Sequence, residues 1–229
     1  MEESIAMART LSAAGFTTVC CTPHLIKGAY ENSATAIRER TAQLQKLLSA
    51  ESISLRLIPG AEYYLDEYLP ELLSDPLPLG DTQLLLIEIP NHTPPEFVKE
   101  TCYRIKGNGF TPLIAHPERC TLLQTEQQET GRQSLWGSLF NSKQNTQNSK
   151  LKTQNSELLS YLQDIGCKFQ GNLGSFAGYY GERVRRKAEE FLATGIYTHF
   201  GSDLHSVQQS EILSYSQHLP LEILPRTQG

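Results

Sequence analysis

Hydrophobic positions along the chain alternate between two periods. In residues 2–14, Ile5, Ala6, Ala8, Leu11 and Ala14 recur mostly at helical spacing, and Gly15 follows as a stop signal. The next stretch, FTTVCC, is short, β-branched and apolar on both faces, the pattern of a strand buried in a parallel sheet. The same pairing recurs. A helical segment near 32–50 leads into SLRLIPG, one near 66–74 into LLLIEI at 84–89, and EFVKETCYRIKGNG into FTPLIAH. SELLSYLQDIG then precedes CKFQGNL, and YYGERVRRKAEEFLATG precedes IYTHFGSD. Six helix-then-strand units predict an α/β architecture, either a barrel or a doubly wound sheet.

One stretch breaks the rhythm. From about 121 to 156 the residues turn to Gln, Asn, Ser, Thr and Lys, and NSKQNTQ is followed directly by NSKLKTQ. Such a stretch has too few apolar side chains to build a core and reads as a flexible polar insert within a single domain spanning 1–229. The length of 229 residues suits one domain, and 39% hydrophobic against 20% charged residues describes a globular chain rather than a disordered one. A net charge of -5 offers no basic surface for a nucleic-acid backbone, so DNA and RNA are not expected partners. No apolar run reaches the roughly 18 residues of a membrane span, and the N-terminus has no signal-peptide pattern. The five cysteines contain no C-x-x-C pair, which argues against a disulfide framework or zinc ribbon. A reducing, cytoplasmic location is the resulting expectation.

In parallel α/β folds, reactive side chains emerge at the carboxyl ends of the strands. Here those ends deliver His24 after TTVCCTP, Glu62 after SLRLIPGA, Glu88 in LLLIE, His116 and Arg119 in AHPER, Asn172, and Asp203 and His205 in GSDLH. Imidazoles and carboxylates together suit Zn, Mn or Fe, and Glu62 and Glu88 are candidates to bridge paired metals. The Arg119 guanidinium is suited to grip phosphate oxygens. His92 and His199 are weaker candidates. Tyr63, Tyr64, Tyr179 and Tyr180 read as packing, and Lys27 and Tyr30 as loop residues.

The set TPHLIKGAYEN, PGAEYYLDEYL, LLIEIP, PLIAHPERC, FQGNLGSFAGYYGERVRRKAEEFL and FGSDLHS resembles, in order and spacing, the polymerase-and-histidinol-phosphatase (PHP) type tyrosine-protein phosphatases found with bacterial capsule and exopolysaccharide genes. The resemblance implies a distorted TIM-like (β/α)7 barrel holding two or three divalent metals, commonly Mn2+. It implies His24, Glu62, Glu88, His116, Asp203 and His205 as metal ligands, Arg119 as the phosphate-binding group, and Arg119 and His205 as catalytic residues. The implied activity is hydrolysis of phosphotyrosine, with the phosphorylated tail of a polysaccharide-assembly tyrosine kinase as partner and a homo-oligomer as a possible state. A small-molecule phosphomonoesterase of the histidinol-phosphatase type and a catalytically silent docking module are the alternative readings. Members of the family begin with a strand carrying His-x-His, whereas this chain opens at the helix that follows it, so the expectation is a barrel with its first strand missing. The loop after His205, SVQQSEILS, also lacks the arginine that many relatives carry there.

Overall fold

The computed structural model describes residues 1–124 and 157–218. Its strands are β1 (Thr18–Cys21), β2 (His24–Leu25), β3 (Arg56–Pro59), β4 (Glu62–Tyr64), β5 (Leu84–Glu88), β6 (Thr111–Ala115), β7 (Lys168–Asn172) and β8 (His199–Gly201). The helices are α1 (Glu2–Ala13), α2 (Ala34–Ala50), α3 (Leu69–Leu72), α4 (Pro95–Gly107), α5 (residues 157–164), α6 (Leu173–Phe176) and α7 (Glu182–Ala193). All strand pairings are parallel. One sheet has the order β2-β4-β5-β6-β7-β8, and β1 pairs with β3 beside it.

β1 and β2 are two parts of one strand. Thr18 lies opposite Arg56 and His24 opposite Glu62 with the same offset, and Gly60 N–H donates to Cys21 O while Glu62 N–H donates to Pro23 O. The ladder is interrupted where Pro23 has no N–H to give. Opposite the break, a Cβ on Gly60 would come within 2.8 Å of Cys20 Sγ and of Leu79, so any larger residue would have to push those side chains aside. With β1 joined to β2 and, likewise, β3 to β4, six strands run in chain order, each preceded by a helix, as the periodicity predicts.

The helices form where the sequence supplies an apolar stripe and an end signal. The α2 N-cap is Ser33, whose Oγ accepts from Ala36 N–H at 3.1 Å. In α4, Val98, Thr101, Cys102 and Ile105 face inward, and in α7 Val184, Lys187, Ala188 and Phe191 do, both at spacings of three and four. The stripes of α4, α5 and α7 pack on Leu85, Ile87, Ile114 and Phe169, forming the main core on one face of the sheet. Truncating Ile87 or Ile114 to Ala would cost about 2–5 kcal/mol. A separate cluster of Ala8, Leu11, Leu48, Ile53, Leu55 and Leu213 seals α1 and α2 against β1 and β3.

The opposite face carries only a small apolar cluster, Leu86, Leu113 and Ala115. Register places His24, Glu62, Leu86 and Leu113 on that face, and Glu88 follows two residues after Leu86. The face turned away from the helices is therefore the one that carries the candidate ligands. A flat six-stranded sheet would hold its edge strands about 24 Å apart. His24 on one edge strand and His205, four residues past the other, have ring centroids 6.1 Å apart, so the sheet curls toward this face.

The helical segment expected near 66–74 is shorter, Leu69–Leu72, because Asp66 Oδ1 turns the chain by accepting from Tyr68 N–H and Pro76 disfavours helix at Asp75. Of the polar stretch expected from 121, the first residues are packed: Thr121–Leu123 forms a 3-10 turn with Leu123 buried. Residues 125–156 lie outside the described residues. No described helix is long and apolar enough to cross a membrane.

Candidate metal centre

Four of the strand-end side chains meet. His24, Glu62 and Glu88 each present a ligand atom within 4.8 Å of the others. His116 joins them, with Nε2 3.1 Å from Glu62 Oε1 and 3.9 Å from Glu88 Oε1, and His24 Nδ1 lies 3.9 Å from Glu88 Oε2. They come from β2, β4, β5 and the turn after β6, so the sheet itself sets their spacing. His116 adopts φ 32° and ψ 57°, left-handed backbone that is costly for a side-chain-bearing residue. Among the described residues, only Ser52, His116 and Asp203 combine positive φ with a side chain. Two of the three are at this site, which points to strain held in place by the surrounding packing.

Burial alone would raise the Glu62 pKa, but the hydrogen bond from His116, helped by the charges of His116, His24 and Arg119, outweighs it and holds the carboxyl below its usual range. Burial would likewise lower His116, yet the bond to Glu62 and the two glutamate charges hold it above the ordinary imidazole value despite Arg119. Both directions favour the charged over the neutral form of the Glu62–His116 pair. His24 Nδ1 is buried with no hydrogen-bond partner. An orphaned imidazole nitrogen beside two carboxylates and a second imidazole fits a divalent cation of the Zn, Mn or Fe type.

The other predicted residues form an adjoining group. Asp203 Oδ2 accepts from Arg119 Nη1 at 3.0 Å, Asn172 Nδ2 at 2.8 Å and Tyr180 OH at 3.3 Å. His205, largely exposed, donates from Nδ1 to the Asp203 carbonyl at 2.8 Å, leaving Nε2 as its lone-pair nitrogen. Its ring packs against His24 and links the two groups. The weaker candidates stay outside. His92 sits 6.5 Å from the Tyr64 ring, and His199 is within 2.9 Å of Thr198 Oγ1 with its pKa lowered by burial and by Lys168. Lys27 is engaged by Glu71 at 2.7 Å and lies over the Tyr68 ring, whereas Tyr30 reaches His24 with ring centroids 5.5 Å apart.

Sequence reasoning missed Glu118. Fully buried, it accepts from Asn172 N–H at 3.0 Å and Tyr197 OH at 2.9 Å, while Gln124 donates to its carbonyl. These bonds clamp the turn carrying His116 and Arg119 onto β7 and the residues before β8. Its presence inside AHPER was the available signal. The thiols stand apart from this chemistry: burial, then the neighbouring Cys21, pushes Cys20 up to about 12, and burial pushes Cys120 up to about 11.

A parallel α/β sheet gathering imidazoles and carboxylates from successive strand ends defines the class: an α/β protein with a candidate divalent-metal centre beside an arginine. The family described as capsular polysaccharide synthesis, CpsB/CapC, matches residues 1–141, and the chain belongs to it. It is similar to the tyrosine-protein phosphatase YwqE of Bacillus subtilis (strain 168), 29% identical over 208 residues that make up 90% of this chain and 70% of YwqE. The tyrosine-protein phosphatase CpsB of Streptococcus pneumoniae is 26% identical over 213 residues, covering 90% of this chain and 76% of CpsB. In structure, the chain matches one from the crystal structures of YwqE from Bacillus subtilis and CpsB from Streptococcus pneumoniae, described as unique metal-dependent tyrosine phosphatases. The TM-score is 0.72 at 27% identity, with 97% of this chain and 82% of that one covered.

Proposed function

We propose that this chain is a metal-dependent protein-tyrosine phosphatase whose substrate is the phosphorylated tail of a polysaccharide-assembly tyrosine kinase, working in the cytoplasm with Mn2+. The observation that carries the reading is the convergence of His24, Glu62, Glu88 and His116 next to Arg119 and Asp203, in a chain whose relatives are named tyrosine phosphatases. His24, Glu62, Glu88, His116, Asp203 and His205 would hold the cations. Bound cations would supply Lewis acidity toward the phosphoryl oxygens and make water a better nucleophile at neutral pH.

The protein's own residues bind, orient and move protons. Arg119 is paired with Asp203, and its guanidinium can take a phosphoryl oxygen pair in place of that carboxylate. His205, with Nδ1–H fixed on the Asp203 carbonyl, keeps Nε2 to hold a cation or, after taking up a proton there, to give that proton to the leaving phenolate. No thiol nucleophile takes part, in keeping with the raised Cys20 and Cys120.

The fold in this reading is a distorted (β/α)7 barrel with one strand position open between β2 and β8. It is supported by the curl of the sheet and by the half-exposed edge strands β1 and β8, which have no second neighbour among the described residues. A strand entering there with His-x-His would add two ligands.

Hydrolysis of phosphotyrosine peptides and of an aryl phosphate tests the proposal, using Mn2+-loaded protein with and without a preceding His-x-His strand. Activity in either form that disappears in His116→Ala and Asp203→Ala, with circular dichroism unchanged, supports it. Absence of turnover in both forms overturns it, and faster turnover of histidinol phosphate than of phosphotyrosine reassigns the substrate.

A further inference from the structure

Asp203 is held asymmetrically. Among the described residues, its Oδ2 receives three donors, from Arg119, Asn172 and Tyr180, whereas Oδ1 has His205 Nδ1 at 3.5 Å. A carboxylate anchored through one oxygen keeps the other free to act as a ligand. The donors are themselves fixed. The Asn172 side-chain oxygen accepts from Gly174 N–H at 2.7 Å, so turning the amide would break that bond as well as the one to Asp203.

Tyr180 touches both halves of this arrangement. Its hydroxyl donates to Asp203, and its ring lies under the Arg119 guanidinium, 4.3 Å from Cζ to the ring centroid. The ring is braced edge-on by Tyr179 at 5.2 Å and 83°. It also packs over Gly174, where an added Cβ would lie 3.1 Å from Tyr180 Cε2. A guanidinium held over a fixed ring can trade a carboxylate for a phosphoryl group without leaving the ring.

We propose that Tyr180 is a positioning residue that holds Asp203 and Arg119 in register: the hydroxyl aims the free carboxylate oxygen at the cation, and the ring keeps the guanidinium facing the phosphoryl group. This rests on the phosphatase reading of the site. The two functions are separable, because Tyr180→Phe removes the hydroxyl and keeps the ring, whereas Tyr180→Leu removes both.

Three measurements on wild type, Y180F and Y180L test it: Mn2+ affinity by electron paramagnetic resonance titration, orthophosphate affinity of the Mn2+-loaded protein by calorimetry, and the Arg119 Nε–H resonance of the metal-free protein, assigned with Arg119→Lys. Y180F is expected to bind Mn2+ about 10-fold more weakly, the usual scale for losing a group that orients a ligand. Its orthophosphate affinity at saturating Mn2+ and its ring-shifted Arg119 resonance should match wild type. Y180L should lose the same Mn2+ affinity, bind orthophosphate a further roughly 2- to 5-fold more weakly and lose the ring shift.

Y180F binding Mn2+ within twofold of wild type, or Y180L retaining the Arg119 resonance position, overturns the proposal. A protein that takes up no Mn2+ either with or without the preceding His-x-His strand overturns the phosphatase reading and the Asp203 half of the proposal with it. The Arg119 resonance, read without metal, still decides the role of the ring. Should Y180L fail to fold, Y180F decides the matter through the metal measurement.

Discussion

Glu118 offers the sharpest test of how the site is held. It is fully buried, and its two oxygens accept from a backbone N–H and from the Tyr197 hydroxyl, itself buried. Glu118→Ala would strand both donors without water to replace the carboxylate, at about 1–3 kcal/mol each, and leave a small cavity besides. A loss of about 3–5 kcal/mol is expected, which in a chain of this size lowers Tm by about 8–15 °C. Glu118→Gln keeps the shape and a carbonyl acceptor, so about 1 kcal/mol is expected. Urea unfolding followed by circular dichroism measures each value. Adding Tyr197→Phe closes a double-mutant cycle in which Glu118→Ala and Tyr197→Phe should couple by about 1–2 kcal/mol, because they share one bond. Additive effects, or a Glu118→Ala loss under 1 kcal/mol, would refute the clamp. The cost to Mn2+ binding should follow the cost to stability, since the turn that Glu118 fixes carries His116.

Ser33→Ala should destabilise the chain by about 1 kcal/mol through loss of the α2 cap, read from the shift of the urea midpoint, whereas Ser33→Asp should be near neutral. Iodoacetamide at neutral pH should label Cys20 and Cys120 slowly in the native protein and readily after unfolding, as mass spectrometry of the digests would show; rapid native labelling would contradict their raised pKa values. The metal-free Glu62–His116 pair should stabilise the fold most between the ordinary carboxyl and imidazole pKa values, about 4.3 and 6.5. The depressed Glu62 contributes above the unfolded carboxyl value and loses this as pH falls through its folded pKa. The raised His116 contributes below the unfolded imidazole value and loses this as pH rises through its folded pKa. Tm measured against pH should therefore fall less in His116→Gln on leaving that window than in wild type, and identical profiles would contradict the ion pair.

The strands were legible because each is a short apolar run closed by a polar residue, and parallel topology makes those closing residues neighbours without further information. That is why His24, Glu62, Glu88 and His116, spread over 24–116, could be grouped before any geometry was known. Tyr180 escaped because its role depends on a partner 23 residues away along the chain, and Glu118 because its partner Tyr197 is 79 away. No local pattern distinguishes a tyrosine that packs from one whose ring carries a guanidinium. Leu123 shows the opposite failure: polar neighbours hide one apolar anchor, and the folded domain extends a few residues further than composition indicates.

The distribution of apolar side chains explains why the centre forms on the face it does. Helices cover one side of the sheet with a large core, so that side has no room for charge. The other side keeps only Leu86, Leu113 and Ala115 near its middle, and the strand ends above them are free to carry carboxylates and imidazoles. Without a cation, like-charged Glu62 and Glu88 at such close quarters would repel, and His116 relieves this by facing both of them. A cation taking His116 as a ligand would need its ring neutral, so the same contacts that favour a proton on His116 would oppose metal uptake at low pH. The left-handed backbone at His116 and Asp203 fits this account, because each is held in a costly conformation by side-chain bonds from other segments: Glu62 for the first; Arg119, Asn172 and Tyr180 for the second.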